Sequence, residues 1–430
     1  LIVSSLWRHR EFLKFWAGAA ISEVGSQVTL LAVPLIAALT LQATPWQMGL
    51  LSAAGGAPIL LVGLFAGVWV DRGRRRPVMI ASDLGRAALL LLIPLAAVSG
   101  VLRIEILYAV LLLTGALTVL FDVAYMSILP SLVAPDRIVE ANSKLQSTAA
   151  AAQVAGPSVG GVLVSLMTAP FALLADALSF LLSAAFIAGT RVPEAAPEAR
   201  GARAGVLTEI TEGFHTVIHD RVLRALAGAS ATTILFGRMF MAVYVLYMTR
   251  DLGLGAMGIG LVFATGGVGS FAGSVVAEPL ARRFGPGPTM IGAQVAFGLT
   301  GMMVPLAVLV PSWALAMIVA SEFAQWMAIL IYWVVAISVR QAIVPDRVLG
   351  RVSATMRFLA GGAHPIGAVI GGALGGVIGV PLTLVVASFG MLLGFLWPLL
   401  SPVRGLSVMP TIGHSGSSPT AEPAGSQSRR

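Results

Sequence analysis

Eight ionisable residues sit inside long apolar runs of this sequence: Glu23, Asp83, Arg86, Asp122, Asp176, Arg238, Glu278 and Glu322. A charged side chain in hydrocarbon costs at least about 2.5–3.5 kcal/mol on insertion scales, so such groups are functional candidates. The chemistry open to them is narrow. A carboxyl group shielded from water holds its proton more tightly, and a nearby guanidinium favours release. Such an acid can load and unload a proton as its surroundings change. Acids beside aromatic walls also attract lipophilic cations, by charge and by cation–π contact. Spacing sorts the eight. Asp83 and Arg86 lie three apart, as neighbours on one helix face do. Glu278 falls near the end of its run and can reach an aqueous boundary. Glu23, Asp122, Arg238 and Glu322 each stand alone in a different run.

The elements holding these groups must be membrane helices. Of 430 residues, 57% are hydrophobic and only 11% charged, against about 25% charged in soluble domains. That excludes a soluble enzyme, a nucleic-acid binder and a disordered chain. A spanning helix takes about 20 residues. Hydropathy and helix breakers predict twelve spans, at 15–41, 46–70, 78–99, 104–128, 145–167, 169–190, 222–249, 254–281, 289–310, 312–339, 353–378 and 380–401. The fold class expected is all-α and integral to the membrane. The first run is too long, and lacks the small-residue site, for a cleaved leader. With no cysteine in the chain, disulfides, thiolate metal sites and cysteine nucleophiles are excluded.

Charge predicts orientation. With the N-terminus in the cytoplasm, 23 of the 27 lysines and arginines fall on the inner side. Only Arg103 and Arg250 fall outside, and Arg86 and Arg238 lie within helices. This satisfies the positive-inside rule and explains the net charge of +8 without nucleic acid. Both termini are then cytoplasmic. Residues 191–221 read as a linker and an amphipathic surface helix, with Val206, Leu207, Ile210, Phe214, Val217 and Ile218 at helical spacing. His215 and His219 lie on it four apart, but no glutamate follows the first, so a metalloprotease helix is excluded. Residues 403–430, rich in Ser, Gly and Pro, read as a disordered tail.

The halves repeat. Pro135-Asp136-Arg137 returns as Pro345-Asp346-Arg347, 210 positions on. Gly160-Gly161 returns as Gly371-Gly372, and Val78-Met79-Ile80 as Thr289-Met290-Ile291, each 211 positions on. A common offset at several places indicates duplication. Six spans per copy keep both copies in one orientation, the parallel arrangement of the major facilitator superfamily. The expected organisation is a six-helix bundle at 1–190, the linker at 191–221, a second bundle at 222–402 and the tail at 403–430.

The loop Gly67-Val-Trp-Val-Asp71-Arg72-Gly73-Arg74-Arg75-Arg76 resembles that superfamily's signature, with Arg74 in place of its second glycine. Ile80-Ala-Ser-Asp83-Leu-Gly-Arg86, Leu129-Pro130, Ala141-Asn142-Ser143, Gly156-Pro157-Ser-Val-Gly160-Gly161 and Asp176-Ala-Leu-Ser179-Phe180 resemble its drug:proton antiporter branch, which includes macrolide and enterobactin exporters. The resemblance spans about 5–402. It implies a gate at Gly67, Asp71, Arg72, Arg75, Asp83 and Arg86, with Asp71 capping the start of the eleventh span near Arg351. It also implies an antiporter motif at Gly156, Pro157, Gly160 and Gly161, where close helix packing is the alternative reading. In the superfamily, spans 1, 4, 7 and 10 line a central cavity. Glu23, Asp122, Arg238 and Glu322 would then be one charge per cavity helix, with Glu23 and Asp122 favoured as proton carriers.

Aromatic walls for that cavity are expected from Phe236, Phe240, Tyr244, Tyr247, Phe323, Trp326, Tyr332 and Trp333. His364, near the start of span 11, is the one histidine placed to titrate beside it. The implied activity is proton-coupled efflux of small amphiphilic compounds, cationic ones included, across a bacterial inner membrane by a monomer in contact with lipid. Two alternatives stay open: a dedicated exporter of a metabolite such as a siderophore or antibiotic, and a transport-dead sensor or scaffold. No cofactor is expected, since no Walker loop is present, and neither an enzyme nor a metal site is expected.

Overall fold

The computed structural model of the chain describes residues 6–134, 137–191 and 214–409, and among these it contains helices and no strand. In hydrocarbon every backbone N–H and C=O must be bonded internally, which a helix does within one segment. Among the described residues, eleven helices are long and apolar enough to cross a membrane. They are span 1 (Arg10–Thr40), span 3 (Arg75–Val98), span 4 (Ile104–Leu132), span 5 (Ile138–Met167), span 6 (Ala169–Ala188), span 7 (Arg221–Asp251), span 8 (Ala256–Phe284), span 9 (Pro286–Leu309), span 10 (Pro311–Ile343), span 11 (Val348–Val377) and span 12 (Val380–Leu399). The expected second span is broken into Pro45–Leu61 and Gly63–Arg72, joined at Val62. Pro58 supplies no N–H one turn before the break, and Gly63 after it is a poor helix former. All but three residues of the amphipathic apolar set (Phe214, Val217 and Ile218), and the tail beyond 409, lie outside the described residues.

The repeat reaches the packing. Span 1 packs on spans 5 and 6, span 3 on 4 and 6, and span 2 on 4. Correspondingly, span 7 packs on spans 11 and 12, span 9 on 10 and 12, and span 8 on 10. Fine details recur at the offset of 211. Spans 1 and 7 both finish in a five-residue π-turn, at Ile36–Thr40 and Tyr247–Asp251. Beyond these turns Gln42 and Gly253 both have positive φ, 50° and 65°. Thr168 and Gly379, between the last two spans of each half, have φ of 70° and 85°. Each second-half residue is glycine, which accepts that conformation at little cost.

The most extensive contacts between the halves are span 2 on span 11 and span 5 on span 8, and span 2 also touches span 7. The first two are related by the repeat. A Cβ on Gly161 would lie 3.0 Å from the Ala256 carbonyl oxygen and 3.2 Å from Cα of Gly260. A Cβ on Gly372 would lie 2.8 Å from the Pro45 carbonyl oxygen and 2.7 Å from Cα of Gly49. Only glycine permits backbones this close. Arg250 adds a hydrogen bond across the halves, donating to the Ala43 carbonyl at 2.8 Å. The Gly161, Gly372 and Arg250 contacts lie at the end away from the arginine-rich loops, and the span 5–span 8 approach continues inward to Gly267, where a Cβ would lie 2.6 Å from Cα of Val154.

Candidate functional site: a charged cluster in the first half and a lone cation in the second

Arg86 of span 3 is the centre of the first half's charged groups. Its guanidinium lies between the rings of Phe121 and Phe180, 4.4 and 4.1 Å from their centroids. It donates to Asp83 one turn back, and both members of this pair are buried. Thr118 accepts a further bond at 3.4 Å. From this position Arg86 acts electrostatically on Glu23 of span 1 and Asp122 of span 4. Those two acids also act on each other, and both act on Tyr125, one turn beyond Asp122. Gln27, one turn beyond Glu23, bonds to it. Glu23 is half-buried and Asp122 exposed, so the cluster grades from a closed ion pair to an open carboxylate. Three spans therefore bring Glu23, Asp83 and Asp122 around one cation.

Asp176 of span 6 also feels the charges of Arg86 and Asp83, but its oxygens are held by hydroxyl groups. It accepts hydrogen bonds from Thr29 of span 1 and from Ser179 at 3.0 Å, and is 1% exposed. It ties two helices together.

The second half holds the opposite charge. Arg238 of span 7 is exposed and acts electrostatically on His364 of span 11. The His364 ring lies against span 2, where a Cβ on Gly56 would come within 2.5 Å of Nδ1. Among the described residues no carboxylate forms an ion pair with it.

Glu322 differs from the sequence expectation. It is 1% exposed, and both oxygens are taken: the Tyr244 hydroxyl donates at 3.0 Å and Trp326 Nε1 at 2.8 Å. It belongs to the interior of the second half, and Trp326, 40% exposed, separates it from the surface. The aromatic wall is also thinner than expected. Phe240, Tyr244, Tyr247 and Tyr332 are buried, with the Tyr247 hydroxyl bonded to the Val304 carbonyl at 2.9 Å. Phe236, Phe323, Trp326 and Trp333 retain exposure.

In the signature loop, Arg75 donates to the Ser127 carbonyl at 2.8 Å, and Arg76 to those of Ile187 and Ala188. These arginines meet the C-terminal ends of spans 4 and 6, where helix dipoles favour a cation. The side-chain positions of Gly67, Asp71 and Arg72 lie outside the described residues. Asp83 and Arg86, grouped with this gate by the family resemblance, sit instead with the Glu23–Asp122 cluster. In the glycine motif, Gly156 faces Gln27, and Gly160 faces Val28 and Leu31, all on span 1. Gly161 and the Pro157 carbonyl face Gly260 of span 8.

The grouping around Arg86 and the part played by Tyr125 were absent from the sequence reading. Tyr125 had a local signal, its three-residue spacing from Asp122. The aromatic sandwich of Arg86 draws on spans 4 and 6 and had none.

Comparison with known proteins agrees with this architecture. The family model described as "Transmembrane secretion effector" matches residues 4–415. The multidrug efflux pump Tap of Mycolicibacterium fortuitum is 28% identical over 385 residues, covering 86% of this chain and 90% of that protein. Macrolide efflux protein A of Streptococcus pyogenes is 25% identical over 235 residues, covering 54% of this chain and 56% of that protein. Among solved structures, the nucleoside transporter NupG superposes with a TM-score of 0.74 at 13% identity, over 91% of this chain and 99% of that one. A bacterial homologue of the iron transporter ferroportin, in an inward-facing state, gives 0.69 at 18% identity, over 91% and 98%. With twelve helical segments in two matching halves and a family match over nearly its whole length, the chain belongs to the transmembrane secretion effectors of the major facilitator superfamily.

Proposed function

We propose that the chain is a proton-coupled exporter of small amphiphilic compounds that works by alternating access. The observation that carries this reading is the pair of acids, Glu23 and Asp122, sharing Arg86, with one acid open and one half-buried. The names of the relatives, multidrug and macrolide efflux proteins, support the direction and the substrate class. The positive-inside rule puts the arginine-rich loops in the cytoplasm of a bacterial cell, with both termini inside. The glycine contacts then close the outer end, and this state faces inward.

The cycle follows from charge. A compound with a cationic group enters from the cytoplasm and replaces protons on Glu23 and Asp122. The halves at 1–190 and 222–402 rock about their shared middle, linked by 191–221. Outside, protons return to the acids and the compound leaves. Binding shifts the equilibrium only by its differential affinity for the two states. Asp71 and the arginines after it latch the inner end in the outward state. One copy of the chain is sufficient for this cycle.

Arg238 favours a second reading, a dedicated exporter of a metabolite with an acidic group, because it presents a cation with no described acid paired to it. Liposomes containing the protein, with an imposed pH gradient and a panel of cationic, zwitterionic and anionic compounds, separate the two. Cationic amphiphiles should drive proton flux. Flux driven by acidic compounds alone would select the second reading, and compound movement indifferent to the gradient would contradict both.

A further inference from the structure

A groove of about 680 Å³ opens between the arginine-rich ends of spans 7 and 12. Arg221, Arg224 and Arg404 line it together with Trp397, Leu400 and Ser401, and no acid does. We propose that this groove binds the headgroup of an anionic phospholipid, with an acyl chain lying along Trp397 and Leu400.

The walls are built. The Trp397 ring packs on span 7, where a Cβ on Gly228 would lie 2.4 Å from it, and its Nε1 donates to Thr232 at 3.0 Å. The other face is open, since the residue is 43% exposed. Arg404 stands on the short turn Pro402–Gly405, not on a loose tail. Ser401 accepts from Val403 N at 3.2 Å, Val403 is fully buried, and Leu406 accepts from Gly287 N at 3.1 Å. The turn is thereby pinned under span 9.

The charge placement works against the helix it sits on. Arg221 and Arg224 occupy the first turn of span 7, where the dipole end is positive and cations are unfavourable. Asp220 is committed to the cap, accepting from Val222 N and Leu223 N at 2.8 Å. Arg224 gives one bond to the Ile218 carbonyl at 3.0 Å, and among the described residues no carboxylate forms an ion pair with Arg221 or Arg404. Topology accounts for positive charge at this end, but not for three arginines converging on one groove. Leu400 is 79% exposed, and an exposed leucine beside that cluster matches a molecule with an anionic head and an apolar body. Basic pockets between helices at the cytoplasmic boundary recognise such lipids. The inference is independent of what the protein transports.

The test uses the full chain in detergent, titrated with phosphatidylglycerol or phosphatidylcholine carrying brominated acyl chains. The signal is the quenching present in wild type and missing in Trp397→Phe, which isolates this tryptophan among the eight. Phosphatidylglycerol should saturate that difference, while phosphatidylcholine should produce none. Arg221→Gln with Arg404→Gln should raise the half-saturating lipid concentration by about fivefold per arginine, and the same pair changed to lysine should largely restore it. Millimolar inorganic phosphate should leave the titration in place. Equal quenching by phosphatidylcholine, an unshifted double glutamine variant, or displacement by phosphate would each overturn the proposal. The comparison of the two lipids on wild type decides the matter even if a variant does not fold.

Discussion

Arg86 shows how one residue can hold a charged site together. Its pair with Asp83 is buried, and its ring contacts shield it further. Breaking a buried pair by removing one partner leaves the other charge without compensation, at about 3–5 kcal/mol. Arg86→Met should therefore lower the thermal midpoint of the purified protein sharply. Asp83→Asn combined with Arg86→Met should recover much of the loss, because the stranded carboxylate is gone. A double variant as unstable as the single one would show that packing between Phe121 and Phe180 matters more than the pair. At this scale the sequence was half legible. That Glu23, Asp122 and Arg238 are costly charges could be read directly, as could the three-residue Asp83–Arg86 spacing. The closure of Glu322 by Tyr244 could not, since the two residues are 78 positions apart on different helices.

Among the elements, duplication is the most readable property and also exposes where the copies have diverged. The matching π-turns and positive-φ positions recur 211 residues apart. At Thr168 the first half keeps a β-branched residue where the second has Gly379, with φ of 70° and ψ of 158°. That region is nearly restricted to glycine and costs about 1–3 kcal/mol otherwise. Thr168→Gly should stabilise the protein by about 1 kcal/mol after glycine's own entropic cost of about 0.5–1 kcal/mol. Gly379→Thr should destabilise it by a similar amount. Thermal midpoints of the two variants provide the check, and movement in the same direction would mean that strain is not what distinguishes the two turns. The hydropathy pattern located all twelve segments because lipid forces each one to be helical. It missed the break at Val62 because a bend in an apolar run leaves the composition unchanged.

At the scale of the whole molecule, the first half gathers acids around Arg86, the second presents Arg238, and glycines set the closest approach of the two backbones. Pairwise offsets in the sequence pointed to two copies. How the copies face each other depends on backbone approach at Gly49, Gly161, Gly260 and Gly372, which side-chain patterns do not encode. In the proposed cycle this arrangement leaves a route from the arginine-rich end to Asp122, and the acids there couple proton movement to transport. The most direct measurement is proton flux into liposomes containing wild type, Glu23→Gln or Asp122→Asn, recorded with an internal pH dye while an accepted compound is added. The account predicts compound-driven flux in wild type and its loss, by tenfold or more (about 1.4 kcal/mol or more), in each variant at unchanged protein insertion. Undiminished coupled flux in both variants would contradict it.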